Sequence, residues 1–239
     1  MAKEAFARGL IKRHTKGTLK QLMKLFSYIL HYDDGAAPNP FWNICTLAIR
    51  KPAIRLAAEI DDWIVGLGLV NPPIGDISDH VVYAMKVTSK MTLEEYDQFC
   101  KTFVPKKKPD WRNRDYRMRM GDCIYNYTAG SEPKMRTGIH TEENKGKDLS
   151  GLYALVSKQF YYFGNQAVKL PDDLRPIMHA EQGHKSDANQ AYIDPFVNWI
   201  EGLDHRPNKA LGEPQRKVEL MNEKEIQAII SKRDLAEDE

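Results

Sequence analysis

The sequence is poor in cysteine and lacks any long apolar run. Its three cysteines, Cys45, Cys100 and Cys123, are an odd number without C-x-x-C spacing, which argues against a disulfide framework and a cysteine zinc site. No apolar stretch approaches the ~18 residues of a membrane span, and the N-terminus lacks the apolar core of a signal peptide. We therefore expect a soluble protein of a reducing compartment, with no membrane partner.

The usual signatures of nucleotide-dependent enzymes are also missing. There is no G-x-x-x-x-G-K-[ST] motif, and Gly66-Leu67-Gly68 is not followed by the third glycine of a dinucleotide fingerprint. H-E-x-x-H does not occur, and no H-x-E is accompanied by P-C-x-x-C. The seven histidines are scattered, with no pair four residues apart. These absences disfavour kinases, ATPases, dehydrogenases and zinc enzymes. We predict no metal site, and the sequence does not identify a cofactor.

What the chain does have is an uneven distribution of charge. Its formal net charge is only +2, from 35 Lys and Arg against 33 Asp and Glu. Residues 1–24 hold seven basic residues and one Glu, and residues 101–120 hold eight basic residues and two Asp. The rest of the chain is mildly acidic. Two basic segments on such a body indicate an anionic partner.

Hydrophobic patterning predicts short strands with helices inserted between them. Alternation predicts a strand over 25–32, and two β-rich segments at 62–68 and 80–88 are typical of paired central strands. Because no regular β-α-β order occurs, we expect an α+β fold around a curved or barrel-like mixed sheet, with inserted and flanking helices. The other predicted elements are strands at 121–127, 152–157 and 159–164, helices at 52–59, from 93 to near 106, at 171–178 and 192–203, and loops at 105–120 and 128–147.

The segment from Pro38 to Ala48 has the composition of a ligand-binding loop. It combines a rigid proline turn with amide and aromatic side chains, and Lys51 and Arg55 lie just beyond it. Such residues can stack on a planar polar ligand and hold a nearby phosphate. The alternative is that Phe41 and Trp42 simply fill the core.

Two further segments carry candidate site residues. The aromatic strand near 160 places Tyr161 and Tyr162 on opposite faces, so one ring can be offered to a base while the other packs in the core. A polar loop positions His184 as a general acid or base and Lys185 for phosphate. The structural alternatives are core packing for the rings and helix capping for the loop.

The basic stretch at 106–119 interleaves cations with aromatic rings. It includes Lys107, Arg112 and Arg114, together with Trp111 and Tyr116. Cations release counterions from a nucleic-acid backbone and rings stack on bases, so the pattern indicates nucleic-acid contact. A solvated charged face is the alternative.

A series of separated motifs follows in order along the chain. Phe26 to Leu30 leads to Asn39-Pro40-Phe41-Trp42 and then to Lys51-Pro52-Ala53-Ile54-Arg55. This opening resembles the nucleotide-modification-associated domains, specifically the second type, and the resemblance extends over about residues 25–203. The motifs that continue it are Asp62 to Gly66, Tyr83 to Thr88, Phe160 to Gly164 and Gly183 to Lys185.

The resemblance implies a process and not a reaction. It places the chain in phage and bacterial systems that make or handle modified bases, hence in the cytoplasm of a bacterium or an infected host. The strand pair at 62–66 and 83–87 is also similar to the PUA-like group, including its EVE members, in which a small β-barrel binds modified bases or RNA. Here Asp61-Asp62 stands where that pattern has Gly-Asp. The division that follows is a basic arm at 1–24, the domain at 25–203 and a charged helical tail at 204–239.

Three functional hypotheses remain open. The first is binding of a nucleotide or a modified base, for which Asn39, Trp63, Tyr162 and His184 must converge on one cavity. The second is a base- or nucleotide-modifying enzyme that uses acid–base chemistry. The third is a phage accessory protein that contacts a protein partner through its C-terminal tail. The catalytic candidates are His184 and Cys45, although without a nearby base a buried thiol is the preferred interpretation of Cys45.

In the first hypothesis the partner is a nucleotide or a nucleic acid. The candidate residues then form two groups. The base- or nucleotide-binding residues are Asn39, Phe41, Trp42, Thr46, Trp63, Tyr161 and Tyr162. The phosphate-binding residues are Lys51, Arg55, Lys107, Arg112, Arg114 and Lys185.

Overall fold

A computed structural model describes residues 22–31, 33–71, 75–128, 132–178, 183–205 and 207–216. The strands in these residues are β1 Leu25–Ile29, β2 Cys45–Leu47, β3 Trp63–Leu67, β4 Val70–Asn71, β5 Gly75–Asp76, β6 His80–Lys86, β7 Ser89–Thr92, β8 Tyr125–Asn126, β9 Lys134–Met135, β10 Tyr153–Ser157, β11 Gln159–Tyr162, β12 Val168–Lys169 and β13 Lys209–Ala210. The α-helices are α1 Pro52–Ala57, α2 Leu93–Phe103, α3 Tyr116–Arg119, α4 Glu142–Leu149 and α5 Ile193–Gly202. Short 3₁₀ turns cover Pro105–Lys107, Gly164–Gln166, Asp172–Ile177 and Asp187–Tyr192.

The larger sheet has the strand order β1-β3-β6-β11-β13, and β12 also pairs with β6. β1 runs parallel to β3, whereas β6 is antiparallel to both β3 and β11. Every residue of β3 is buried, as are the five central residues of β6. The predicted pair of central strands is therefore confirmed.

A second sheet has three antiparallel strands in the order β2-β10-β7. β10 and β11 are separated only by Lys158, yet they belong to different sheets. The chain therefore passes from one sheet to the other at this residue. Two small hairpins, β4-β5 and β8-β9, lie apart from both sheets.

The hydrophobic core consists of two clusters, one on each face of the larger sheet. Ile64 belongs to the cluster that includes the second sheet, while its neighbours Trp63 and Val65 belong to the other. This assignment follows from the alternation of side chains along a strand. Helix α5 covers the second cluster, where Phe196 packs edge-on against Trp63 with ring centroids 6.1 Å apart.

The predicted α+β class is confirmed, but no sheet in the described part of the chain closes into a barrel. The PUA-like element of the prediction stays a prediction. Three of the predicted helices are present as α1, α2 and α5. Three predictions were wrong in detail. Residues 105–120 contain a 3₁₀ turn and α3, residues 128–147 contain β9 and the start of α4, and a 3₁₀ turn replaces the helix predicted at 171–178.

The two charged ends lie largely outside the described residues. The basic arm predicted at 1–24 and the helical tail predicted at 204–239 fall mostly outside the described ranges. Residues 207–216 do contribute to the fold, because β13 runs parallel to β11 and the backbone N–H of Arg216 donates to the Asp33 carbonyl at 2.9 Å. The division into arm, domain and tail stays a prediction. None of the helices described has the length and apolar character that a bilayer span requires.

Candidate functional site

Two neighbouring cavities, of about 420 and 410 Å³, open beside the start of α1. They share four lining residues, so we treat them together as the Lys51 cleft. The shared residues are Arg50, Lys51, His140 and Asn144. The larger cavity is also lined by Pro52, Ala53, Ile54, Lys147, Asp148, Gly183 and His184, and the smaller one by Leu30, His31 and Ala37.

The backbone at the centre of the cleft is held in an unusual conformation. Arg50 and Lys51 have φ angles of 57° and 43°, in the left-handed region that non-glycine residues rarely adopt. Such residues cost about 1–3 kcal/mol each and persist only where their surroundings fix them. The Arg50 N–H donates to Asp148 Oδ1 at 2.8 Å, and its carbonyl accepts from Arg55 Nε at 2.8 Å.

Arg55 forms the base of this turn and is fully buried. Its guanidinium also donates to the carbonyls of Ala48 at 2.6 Å and Tyr153 at 2.9 Å, and to that of Asp148. A Cβ at Gly151 would overlap the Arg55 guanidinium, so a larger residue there would displace it. Burial lowers the pKa of Arg55 to about 10. Its donors are used by backbone carbonyls, which argues against the predicted role in phosphate binding.

A chain of polar groups fixes the Arg50 side chain. Its terminal nitrogens donate to Asp34 at 3.2 and 2.7 Å, and Nε donates to His140 Nε2 at 3.3 Å. Because Nε2 accepts, the proton of the neutral imidazole is assigned to Nδ1, which faces Asp148 Oδ2 at 2.5 Å. Burial acts to raise the pKa of Asp148, but hydrogen bonds from His140, the Arg50 backbone and Tyr125 hold it below its usual value.

Lys51 presents its amine to the cleft without an acidic partner. Nζ lies 4.2 Å from the centroid of the Tyr28 ring and 3.5 Å from the Ile29 carbonyl oxygen. No carboxylate within the described ranges forms an ion pair with it. Burial, together with the nearby charges of Arg50 and Lys147, lowers the pKa of Lys51 to about 8.

The segment containing His184 is fixed at the rim of the cleft by a bridge to β1. The N–H and carbonyl of Lys185 both pair with Ser27 at 2.9 Å. His184 lies with its ring centroid 5.4 Å from that of Phe26. The Lys185 amine donates to the Pro176 carbonyl, so it does not line the cleft.

Several predicted ligand-binding residues form a buried polar cluster instead. Lys107 is fully buried, and its Nζ donates to Asn39 Oδ1 at 2.7 Å and Thr46 Oγ1 at 2.9 Å. Thr46 in turn donates to Asp122 Oδ2 at 2.6 Å. Burial raises the pKa of the nearby Cys45 thiol to about 12, as in the buried-thiol interpretation. These positions argue against direct ligand contact.

The convergence that the pocket hypothesis requires is not seen. Of Asn39, Trp63, Tyr162 and His184, only His184 lines the cleft. Trp63 and Tyr162 are fully buried, and the Tyr162 hydroxyl donates to Asp33 at 2.8 Å. Tyr161 packs in the second core cluster and Phe41 in the first. The base-binding roles of these rings stay predictions, and none of the rings lines the cleft.

The remaining predicted residues lie at a basic surface. Lys106 Nζ and Arg117 Cζ lie 4.6 and 5.1 Å from the centroid of the half-buried Trp42 ring. We call these three residues the Trp42 surface. Arg112 and Arg114 follow in the same basic segment and are exposed. Their predicted role in phosphate binding stays a prediction.

Sequence reasoning missed most of the residues that line the cleft. His140 precedes α4, while Asn144, Lys147 and Asp148 lie on it with the i, i+3, i+4 spacing that places residues on one helix face. This segment was predicted to be a loop. A helix start at Thr141, whose backbone and side chain both contact Asn144, was the signal available in the sequence.

The molecule is thus an α+β protein with a cation-rich cleft beside a strained turn. Among the residues described, no group of three His, Cys, Asp or Glu is placed to hold a metal ion. The chain belongs to the nucleotide modification associated domain 2 family, whose model matches residues 22–222. The resemblance inferred from the motifs is confirmed, and the family name links the chain to nucleotide modification. Neither the curated proteins nor the solved structures contain a significant match.

Proposed function

We propose that this protein binds a nucleotide in the Lys51 cleft. The observation that carries the proposal is the meeting of three cationic side chains, Arg50, Lys51 and Lys147, at one cavity of about 420 Å³. Pockets of roughly 300–1,000 Å³ are typical of small-molecule sites. The family name supports a nucleotide as the ligand.

The charge of the cleft favours an anionic group. Arg50 is balanced by Asp34, so the charged groups left at the larger cavity are Asp148, Lys51 and Lys147. Lys51 and Lys147 have no carboxylate partner within the described ranges, so they leave the larger cavity with excess positive charge. Hydrogen bonds between ammonium groups and phosphate oxygens are among the stronger polar contacts in proteins. The phosphate of the nucleotide is therefore assigned to the larger cavity.

The smaller cavity suits the uncharged part of the ligand. Leu30 and Ala37 contribute apolar surface there, and His31 and Asn144 contribute polar groups. Such a mixture can pack against a planar base while hydrogen-bonding its edge. The nucleotide then spans both cavities, with Lys51 at the point where they meet.

The proposal is tested by calorimetric titration of the four deoxynucleoside 5′-monophosphates into the wild type and two variants. Lys51→Gln and Lys147→Gln should each weaken binding by about 10- to 100-fold, since a hydrogen bond to a charged group is worth ~1.5–3 kcal/mol. Lys158→Gln is the matched control, because Lys158 is exposed and does not line the cleft. Equal affinities in wild type and both cleft variants would contradict the proposal.

We also expect the nucleotide to bind when it is part of a nucleic-acid strand. In that case the Trp42 surface and the exposed Arg112 and Arg114 are the groups we assign to the flanking phosphates. Adding a single-stranded DNA oligonucleotide to the same titrations separates the two forms of ligand. If these cations contact the oligonucleotide, its affinity should fall steeply as the salt concentration is raised. An affinity that does not change with salt would contradict binding of a nucleic-acid strand.

A further inference from the structure

We infer that Lys51 is a reactive amine that condenses with the carbonyl carbon of a phosphorylated aldehyde bound in the cleft. The inference rests on the proposed function for the phosphate part of the ligand, and it adds a covalent step at a named atom. A solely electrostatic role, in which Lys51 only attracts phosphate, is the alternative that the experiment below separates from it.

The position of the amine supports this inference. Nζ lies against the Tyr28 ring and close to one backbone carbonyl, and Lys51 lines both cavities of the cleft. Lys101, by contrast, is paired with the carboxylate of Asp97 at 2.7 Å. Lys51 has no such pair within the described ranges.

The surroundings of the amine favour its neutral form. The titratable and charged groups around the cleft are Tyr28, His31, Arg50, His140, Lys147 and His184, with Asp148 engaged by His140. The Tyr28 ring stabilises a cation, but burial and the positive neighbours outweigh it, since the pKa of Lys51 is lowered to about 8. At pH 8 such an amine is about half neutral, whereas a solvated lysine of pKa ~10.4 is less than about 1% neutral.

The chemistry needs no oxidant or reductant. The nitrogen lone pair forms a bond to the carbonyl carbon while the carbonyl π electrons move to oxygen, and a proton passes from nitrogen to oxygen. The resulting carbinolamine loses its hydroxyl as water when that oxygen accepts another proton, and the second nitrogen proton leaves as the C=N bond forms. His184 lines the same cavity, and we assign the exchange of these protons to it.

The experiment uses pyridoxal 5′-phosphate as a probe that carries both an aldehyde and a phosphate. The full chain is treated with the probe at pH 8, reduced with borohydride and mapped by peptide mass spectrometry, with pyridoxal as the probe lacking phosphate. We expect Lys51 to be modified at least about tenfold faster than exposed lysines such as Lys158, because more of its amine is neutral. The phosphate should accelerate the reaction, and inorganic phosphate should slow it.

Two lysine-to-arginine variants provide the controls. Lys51→Arg retains a positive charge but cannot form an imine, so it should lose the borohydride-trapped adduct at residue 51. Lys158→Arg should leave the Lys51 adduct unchanged.

The outcomes separate the inference from the proposed function. Nucleotide binding without faster modification of Lys51 than of Lys158 would overturn the inference and leave nucleotide binding intact. Fast modification of Lys51 at equal rates by both probes would support the amine and contradict the phosphate site on which the proposed function depends.

Discussion

At the scale of single residues, Asp33 joins segments that are distant in the chain. Its carboxylate accepts from the Tyr162 hydroxyl at 2.8 Å and from the Gln215 N–H at 3.3 Å. The residue is buried, and burial raises its pKa to about 6 despite these hydrogen bonds. The folded protein therefore binds a proton at Asp33 more tightly than the unfolded chain does.

This difference gives stability a defined dependence on pH. The contribution of Asp33 is fully present below about pH 4 and is lost as pH rises through about 6, a loss of ~3 kcal/mol. Asn does not titrate, so the free energy of unfolding of the wild type should fall by that amount relative to Asp33→Asn over this range. Urea denaturation at several pH values measures it, with the exposed Asp173→Asn as control. A pH-independent difference would contradict the assignment.

The burial of two cationic side chains could not be predicted from the sequence. Arg55 and Lys107 look like surface cations in the sequence, because fully buried Lys and Arg are rare. Each is instead surrounded by acceptors from distant segments, such as the Tyr153 carbonyl for Arg55, 98 residues away. No local sequence pattern predicts hydrogen bonds between a buried cation and acceptors so distant in the chain. Lys51 was predicted to bind phosphate, which stays a prediction, and its neighbours Lys147 and His140 in the cleft were not foreseen.

At the scale of elements, local signals predicted well those helices that carry a clear start. Thr92 caps α2, and its side chain accepts a hydrogen bond from the Glu95 N–H at 3.1 Å. The Thr92 N–H in turn donates to the Glu95 carboxylate at 3.0 Å. Helix α4 was missed because its sequence, EENKGKDL, has no apolar stripe and contains a glycine. The strands β10 and β11 were found, but their membership of different sheets depends on contacts across the whole chain.

The cap of α2 offers a test at this scale. Thr92→Ala removes the side-chain acceptor of the capping box, and we expect the free energy of unfolding to fall by ~1 kcal/mol. Thr102→Ala is a matched control on the same helix, since Thr102 is exposed and only bonds back to the Gln98 carbonyl; it should be within about 0.5 kcal/mol of the wild type. Equal effects of both substitutions in chemical denaturation would contradict the capping assignment.

At the scale of the whole molecule, the packing of two sheets and two core clusters brings five segments to one cleft. They are the turn at Arg50 and Lys51, helix α4, the end of β1, the loop at Ala37 and the segment at His184. The sequence predicted the α+β class and the family, because both depend on motifs and element order. It did not predict the cleft, because a pocket depends on how elements pack. The basic segment at 101–120 is divided in the fold, with Lys107 in the core and Lys106 at the surface.

The central claim is that the cleft recognises the phosphate of a nucleotide. The most direct measurement is calorimetric titration of the wild-type chain with each deoxynucleoside and with its 5′-monophosphate under the same buffer and salt. We predict at least about tenfold tighter binding of the monophosphate, equivalent to ~1.4 kcal/mol or more. Equal affinities for nucleoside and nucleotide, or no binding of either, would contradict the account.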